Sequence, residues 1–331
     1  MQVGHIARAV EFEKVVPVHV RKSIDLTRQR MAVQHLLDTR ENDDTLITRL
    51  EQYVVTFHNV LRQLDTATPL QAQPMFEWNV GNETLESCCW RLEAILPRHA
   101  LAQLHEQRGL KLAADRKYQD AAKQFQAAKQ WRLQILTELE GWTWKLPDMN
   151  HPILQTKWQR AQIYHTNSLH HLCTLSKGVE INTAAKHLYT VAQRAVRDAA
   201  KAVAEWPTLD STLPLAEAMR YYYSSDVLWS HEQYGASIHT LQHWLTGNDC
   251  ACGVFTILEE QLHKVPLLLK ERTRTNNGAY FDVVAPAEPL ISPMDLIHTS
   301  TNDVPHPTED SPPEEHALAA AHDDGPHAQD A

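Results

Sequence analysis

The chain has 331 residues, 43% of them hydrophobic, with only ten glycines and a formal net charge of -10. That length supports one large domain or two small ones around a sizeable core, and the scarcity of β-branched runs beyond the first twenty residues makes the class mostly α. Eight carboxylates (Asp303, Glu309, Asp310, Glu314, Glu315, Asp323, Asp324 and Asp330), with no Lys or Arg among them, put most of the charge after His298, so the body is near neutral and lacks a field that draws nucleic acid.

In chain order, Phe12, Val16, Val18 and Val20 fall at even spacing, which predicts a short half-buried strand. Its expected partner is the extended piece around Met75 to Trp78. Asp25 to Leu37 and Asp44 to Leu64 are predicted helices, the second with an apolar face of Leu46, Leu50, Tyr53, Val54, Phe57, Val60, Leu61 and Leu64. Pro69 and Pro74 end that region.

The most sharply patterned stretch is Phe76 to Trp131. Leu92, Ile95, Leu96, Ala100 and Leu104 make one apolar stripe; Tyr118, Ala121, Ala122, Phe125, Ala128 and Trp131 make another. Gly109 and the charges from Asp115 to Lys117 loosen the pattern between them, so a tetratricopeptide-like helical hairpin is expected.

Pro147 and Pro152 bracket a loop before a helix over Ile153 to Leu175. Gly178 is read as a turn. Asn182 or Thr183 is then placed to cap a helix carrying Leu188, Val191, Ala195, Ala199 and Val203. Leu215 to Leu245 reads as one aromatic-rich helix, and Val254 to Arg272 as a helix kinked at Pro266. Residues 275–290 read as an extended segment whose Tyr280, Phe281, Val283 and Val284 must lie on the helices to leave water. From His298 onward, Pro, Ala, His and acid alternate without period, the composition of a disordered tail.

Candidate chemistry is thin. His165, His170 and His171 share a helix with Cys173, but the spacing does not set two ligands on one face, so no metal and no cofactor are expected. The five cysteines (Cys88, Cys89, Cys173, Cys250 and Cys252) form neither a disulfide framework nor a zinc pattern. Neither a phosphate-binding glycine loop nor a nucleophile elbow occurs, and the expectation is a protein without catalytic residues. The start lacks the apolar core of a signal peptide and no run of eighteen apolar residues exists, which predicts a cytoplasmic protein. Paired helices offer grooves, so recognition of a partner peptide is the expected activity.

Several motifs carry a family resemblance. FEKVVPVHV with Ser23 to Leu26, the helix LITRLEQYVVTFHNVLRQLD, Phe76-Glu77-Trp78, the Tyr118, Ala121, Ala122 and Phe125 helix, and Ala161-Gln162 occur in the order found in the Bro-one domain of Alix and its relatives. Asn276, Asn277, Tyr280, Asp282, Val284 and Pro286, followed by Leu290, resemble the segment that packs back along that domain. The resemblance implies an elongated, boomerang-shaped helical domain with a helical-hairpin core and a small N-terminal β-sheet over residues 1–297, followed by the tail 298–331. It implies Trp78, Tyr118, Phe125, Tyr280 and Pro286 as packing residues. It implies a non-enzymatic ESCRT scaffold, in the cytoplasm and at endosomes, with peripheral membrane contact. Its partner would be the C-terminal amphipathic helix of an ESCRT-III subunit, held in a concave groove at His165, Ala184 and Leu188. Of these three, only Leu188 keeps a bulky apolar side chain. A histidine in place of an aromatic residue lowers apolar burial by about 1–2 kcal/mol. The alternative is a tetratricopeptide-like adaptor for an unrelated peptide.

Overall fold

In a computed structural model, the described residues are 5–6, 10–15, 23–39, 43–64, 76–80, 83–87, 89–141, 151–209, 212–245 and 253–285. All belong to the unit Met1–Leu290, and the acidic tail lies outside them. In chain order the elements are β1 (His5–Ile6), α1 (Phe12–Val15), α2 (Ser23–Thr39), α3 (Asp43–Leu64), β2 (Phe76–Val80), β3 (Glu83–Ser87), α4 (Trp90–Ala114) and α5 (Tyr118–Glu140). A 3₁₀ turn (Pro152–Leu154) then leads into α6 (Thr156–Glu180), α7 (Ala185–Glu205), α8 (Leu213–Ser230), α9 (Tyr234–Leu245), α10 (Thr256–Leu262) and α11 (Val265–Thr275), which ends in a π turn (Asn276–Tyr280). From α2 through α9 each helix packs against the next in sequence.

The sheet is antiparallel in the order β1-β2-β3, with Ile6 opposite Trp78 and Trp78 opposite Leu85. Along β2 the pleat sends Phe76, Trp78 and Val80 inward and leaves Asn79 exposed. Phe12, predicted to open a strand partnered with this one, does not pair with it. Phe12 begins a helical turn instead: its amide donates to Thr27 Oγ1 at 2.9 Å, and its ring enters a cluster with Phe57, Phe76 and Trp90 at centroid distances of 5.7–6.1 Å. An aromatic ring in that cluster removes more apolar area from water than a half-buried strand position would. Val16, Val18 and Val20 lie outside the described residues.

Two cores share one set of long helices. The first joins the sheet, α2, α3 and the first half of α4 to the end of α5 and the start of α6, through Leu96, Leu101, Ile135, Leu139 and Trp158. The second joins the far ends of the same helices to α7–α11, through Tyr118, Phe125, Leu172, Leu188, Met219 and Phe255. Because α4, α5 and α6 each contribute to both, the two cores are coupled by continuous hydrogen-bonded backbone.

At the centre of the first core is a fully buried carboxylate. Glu93 accepts from Arg30 Nε at 2.8 Å, Tyr53 Oη at 2.5 Å and Trp78 Nε1 at 2.7 Å, so α2, α3, β2 and α4 converge on one side chain. Burial opposes the Arg30 charge most strongly, but Glu93 and Tyr53 together outweigh it and the guanidinium pKa is raised. The Tyr53 phenol is pushed up by burial and then by Glu93.

The predicted hairpin forms as α4 and α5. Its turn is at Asp115 to Lys117, where Arg116 takes a positive φ of 59°. Gly109 does not belong to that turn; it lies buried inside α4 against the Phe125 ring. Gly178 likewise sits within the last turn of α6, where a Cβ would come 2.6 Å from Leu188 Cδ2, so the glycine allows α7 to close on α6. The chain reverses at Asn182, with φ 54°, and Ala184, not Asn182 or Thr183, is the N-cap of α7.

The expected single helix over Leu215 to Leu245 is two. Glu232 adopts φ 63° and the Gln233 amide donates to the Leu228 carbonyl, which ends α8 without glycine or proline. Pro266 gives a break, not a kink: it occupies the first turn of α11, where a missing amide proton costs nothing.

Candidate functional site

The three predicted groove positions fall where α6 and α7 pair. These helices are held by Ser168 Oγ donating to the Ala195 carbonyl at 3.1 Å, by His171 Nε2 at 3.2 Å from Asp198 Oδ2, and by Lys201 Nζ 5.4 Å from the centre of the Tyr164 ring. Asp198 is buried and also accepts from Arg197 Nε at 3.2 Å, so its charge is met from both sides. His165 is half-buried on α6, and Ala184 is exposed at the start of α7 with no side chain capping the helix.

Leu188 departs from the expectation of a groove-lining apolar residue. It is 6% exposed and belongs to the second core, seated on Gly178. The surface beside it is mixed: Lys177, Lys186, His187 and Thr190 are exposed, and so is the apolar Ile181 in the turn between α6 and α7.

The histidines do not assemble a reactive centre. His170 Nδ1 lies 3.3 Å from the Ala122 carbonyl, and burial lowers its pKa. Cys173 is buried, and desolvation pushes its thiol up to about 12, the reverse of an activated nucleophile. Among the described residues no group of three or more His, Cys, Asp and Glu is arranged to hold a metal ion. Cys250 and Cys252 lie outside the described residues.

Of the packing residues, Trp78, Tyr118 and Phe125 are buried, and Pro286 lies outside the described residues. Tyr280 is about half exposed yet stacks on Tyr234 with centroids 3.8 Å apart. The segment it belongs to does not bury its apolar residues: Phe281 and Val283 are more than three-quarters exposed. Polar contacts hold it instead. Asn276 Nδ2 donates to the Asp282 carbonyl at 2.7 Å, the Asp282 amide donates back to Asn276 Oδ1 at 3.1 Å, and the Gly235 amide donates to Asp282 Oδ2 at 2.8 Å. A Cβ at Gly235 would stand 1.9 Å from the Val283 carbonyl oxygen, so glycine is required for this approach. Beneath it Arg272 donates to Ser225, Ser237 and Asp226 and lies 5.0 Å from the Trp229 ring centre. Sequence reasoning missed Arg272 and Gly235, since neither carries a periodic signal.

No family model matches the sequence, and no curated protein does. Solved structures do. An ALIX BRO1–CHMP4C complex superposes with a TM-score of 0.65 at 15% identity, covering 88% of this chain and 91% of that one. A Bro1 domain described for endosomal targeting gives 0.65 at 10% identity, covering 89% of each. ALIX bound to the SIVmac239 PYKEVTEDL late domain gives 0.64 at 14%, and this chain spans 47% of its length. With 88% of its residues superposing on ALIX, the chain has the fold of the Bro1 domain.

Proposed function

We propose that the protein is a non-enzymatic scaffold of the ESCRT type, which binds a helix from an ESCRT-III-like subunit across α6 and α7 near His165, Ala184 and Leu188. The supporting observation is the superposition of 88% of the chain on a BRO1 domain solved in complex with CHMP4C. The domain would comprise residues 1–297, with 298–331 as an appended tail. No helix among the described residues is long and apolar enough to cross a membrane, which suits a cytoplasmic protein recruited to endosomes through its partners.

The test is calorimetric titration of the full chain with C-terminal peptides of ESCRT-III subunits. Micromolar binding, weakened at least tenfold by Ala184→Arg, supports both the function and the site. Binding indifferent to Ala184→Arg moves the site elsewhere. Absence of heat with every peptide removes the ESCRT assignment.

One observation favours a second reading, an adaptor for an unrelated peptide. Leu188 is buried, so the apolar patch expected for the first reading is not open at that position. A pull-down that recovers a partner outside the ESCRT system would support it.

A further inference from the structure

Helix α7 carries four cations, Lys186, Arg194, Arg197 and Lys201, at offsets that return to one face of a 3.6-residue helix. Lys186 and Arg194 are exposed and Arg197 and Lys201 are half-buried, so the line faces outward along roughly 22 Å of helix at 1.5 Å per residue. Only two carboxylates lie on α7. Asp198 is turned inward to His171, and Glu205 is at the far end. Among the described residues no carboxylate pairs with Lys186, Arg194 or Lys201. Arg197 is paired with Asp198 and Lys201 lies over the Tyr164 ring, so the exposed cations left open on this face are Lys186 and Arg194, beside the predicted groove of a chain with an overall charge of -10.

We infer that this line receives an acidic helix, with carboxylates repeating at three- and four-residue spacing against the α7 cations. The inference rests on the proposed function for the identity of the binding surface, and it names what that surface selects. Two features point to a helix over a membrane. The charges form a line one helix wide, complementary to carboxylates on one face of a second helix. No large apolar side chain is exposed on α7, and Ile181 in the preceding turn is a single one, whereas a surface that settles into a bilayer gains from several apolar residues it can insert. The buried Leu188 fits the same account, since recognition by charge does not require an apolar pocket at that position.

The probe is an alanine-based helical peptide of about 20 residues, a length of some 30 Å, with glutamates along one face, compared with the same peptide carrying glutamines. The full chain should bind the glutamate peptide, ignore the glutamine peptide, and lose affinity as salt rises. Lys186→Glu with Arg194→Glu should weaken binding at least tenfold while the thermal midpoint holds, because both side chains are exposed. Equal affinity for the two peptides, no binding of either, or binding unchanged by the double substitution overturns the inference. So does binding of phosphatidylserine vesicles, lost in the same variant, by a chain that ignores the peptide; the line would then be a membrane contact. An ESCRT-III peptide that binds the double variant as well as the parent overturns the acidic helix and leaves the proposed function standing. Binding of the glutamate probe without binding of any ESCRT-III peptide does the reverse.

Discussion

Arg30 and Glu93 meet at 2.8 Å with both side chains essentially out of water, on helices sixty-three residues apart in sequence. Such a pair is weak evidence of net stabilisation, because desolvation of both ions offsets their attraction. Its two extra donors, Tyr53 and Trp78, make it a junction: register of β2, α3 and α4 is fixed by one carboxylate.

Glu93→Gln is therefore expected to destabilise by about 3–5 kcal/mol, since it leaves the Arg30 charge buried without a counter-ion. Arg30→Met combined with Glu93→Gln should cost clearly less than the sum of the single changes. Urea unfolding of the four proteins closes this cycle; strict additivity would show that the pair is not coupled.

A second buried group predicts acid sensitivity. His99 is buried with no hydrogen-bond partner on either ring nitrogen among the described residues, 5.6 Å from the Trp158 ring. Burial, then Arg132, then His151 hold its pKa well below the ordinary imidazole value. The folded chain thus keeps His99 neutral where the unfolded chain, with a pKa of about 6.5, takes up a proton. Stability is full above that value and falls as pH drops through it, by at most about 1.4 kcal/mol per pH unit for one group. His58, His151 and His170 are also shifted down, mainly by burial, and add in the same direction. His99→Phe should narrow the gap between thermal midpoints at pH 7.5 and pH 5. An unchanged gap would place the acid response on the other histidines.

The long helices were legible because their apolar residues repeat at three and four: the bounds expected for α2, α3, α6 and α7 lie within a few residues of those observed, while the stripes read for α4 and α5 end at Leu104 and Trp131, well short of Ala114 and Glu140. The misplacements have separate causes. β3 buries only Leu85 among its described side chains, so it has little alternation to detect; the Gly81-Asn82 pair between two-residue-spaced strands was the available signal. The break between α8 and α9 rests on Glu232 in a left-handed conformation, at a position where the sequence has neither Gly nor Asn to mark it. The groove was least legible. Whether Leu188 faces a partner or Gly178 depends on how closely two helices approach, and periodicity marks both faces alike.

Ala184 separates binding from stability. It is the N-cap of α7 and leaves the first amides without a side-chain acceptor. Ala184→Asp should supply one and stabilise by about 0.5–2 kcal/mol, seen as a rise in thermal midpoint. The same carboxylate lies next to Lys186 and should weaken an acidic peptide. A variant that is more stable and binds less would show that affinity is lost at the surface. Leu188→Asp gives no such separation, since a charge placed in the second core should cost at least about 3 kcal/mol.

Gly235 tests what holds the C-terminal segment. Its amide anchors Asp282, and the Val283 carbonyl occupies the space a side chain would need. Gly235→Ala must displace one of them, and residues 281–285 are the ones with few buried contacts to lose. Arg272, the Ser225–Ser237 pair and the α8–α9 packing lie below and are not in the way. The expected result is faster amide exchange and proteolysis over residues 276–285, with the urea midpoint of the whole domain shifted by no more than about 1 kcal/mol of stability. If exchange there stays slow while global stability falls by several kcal/mol, the segment is part of the cooperative core, and the Asn276–Asp282 exchange of hydrogen bonds holds more than a surface strand.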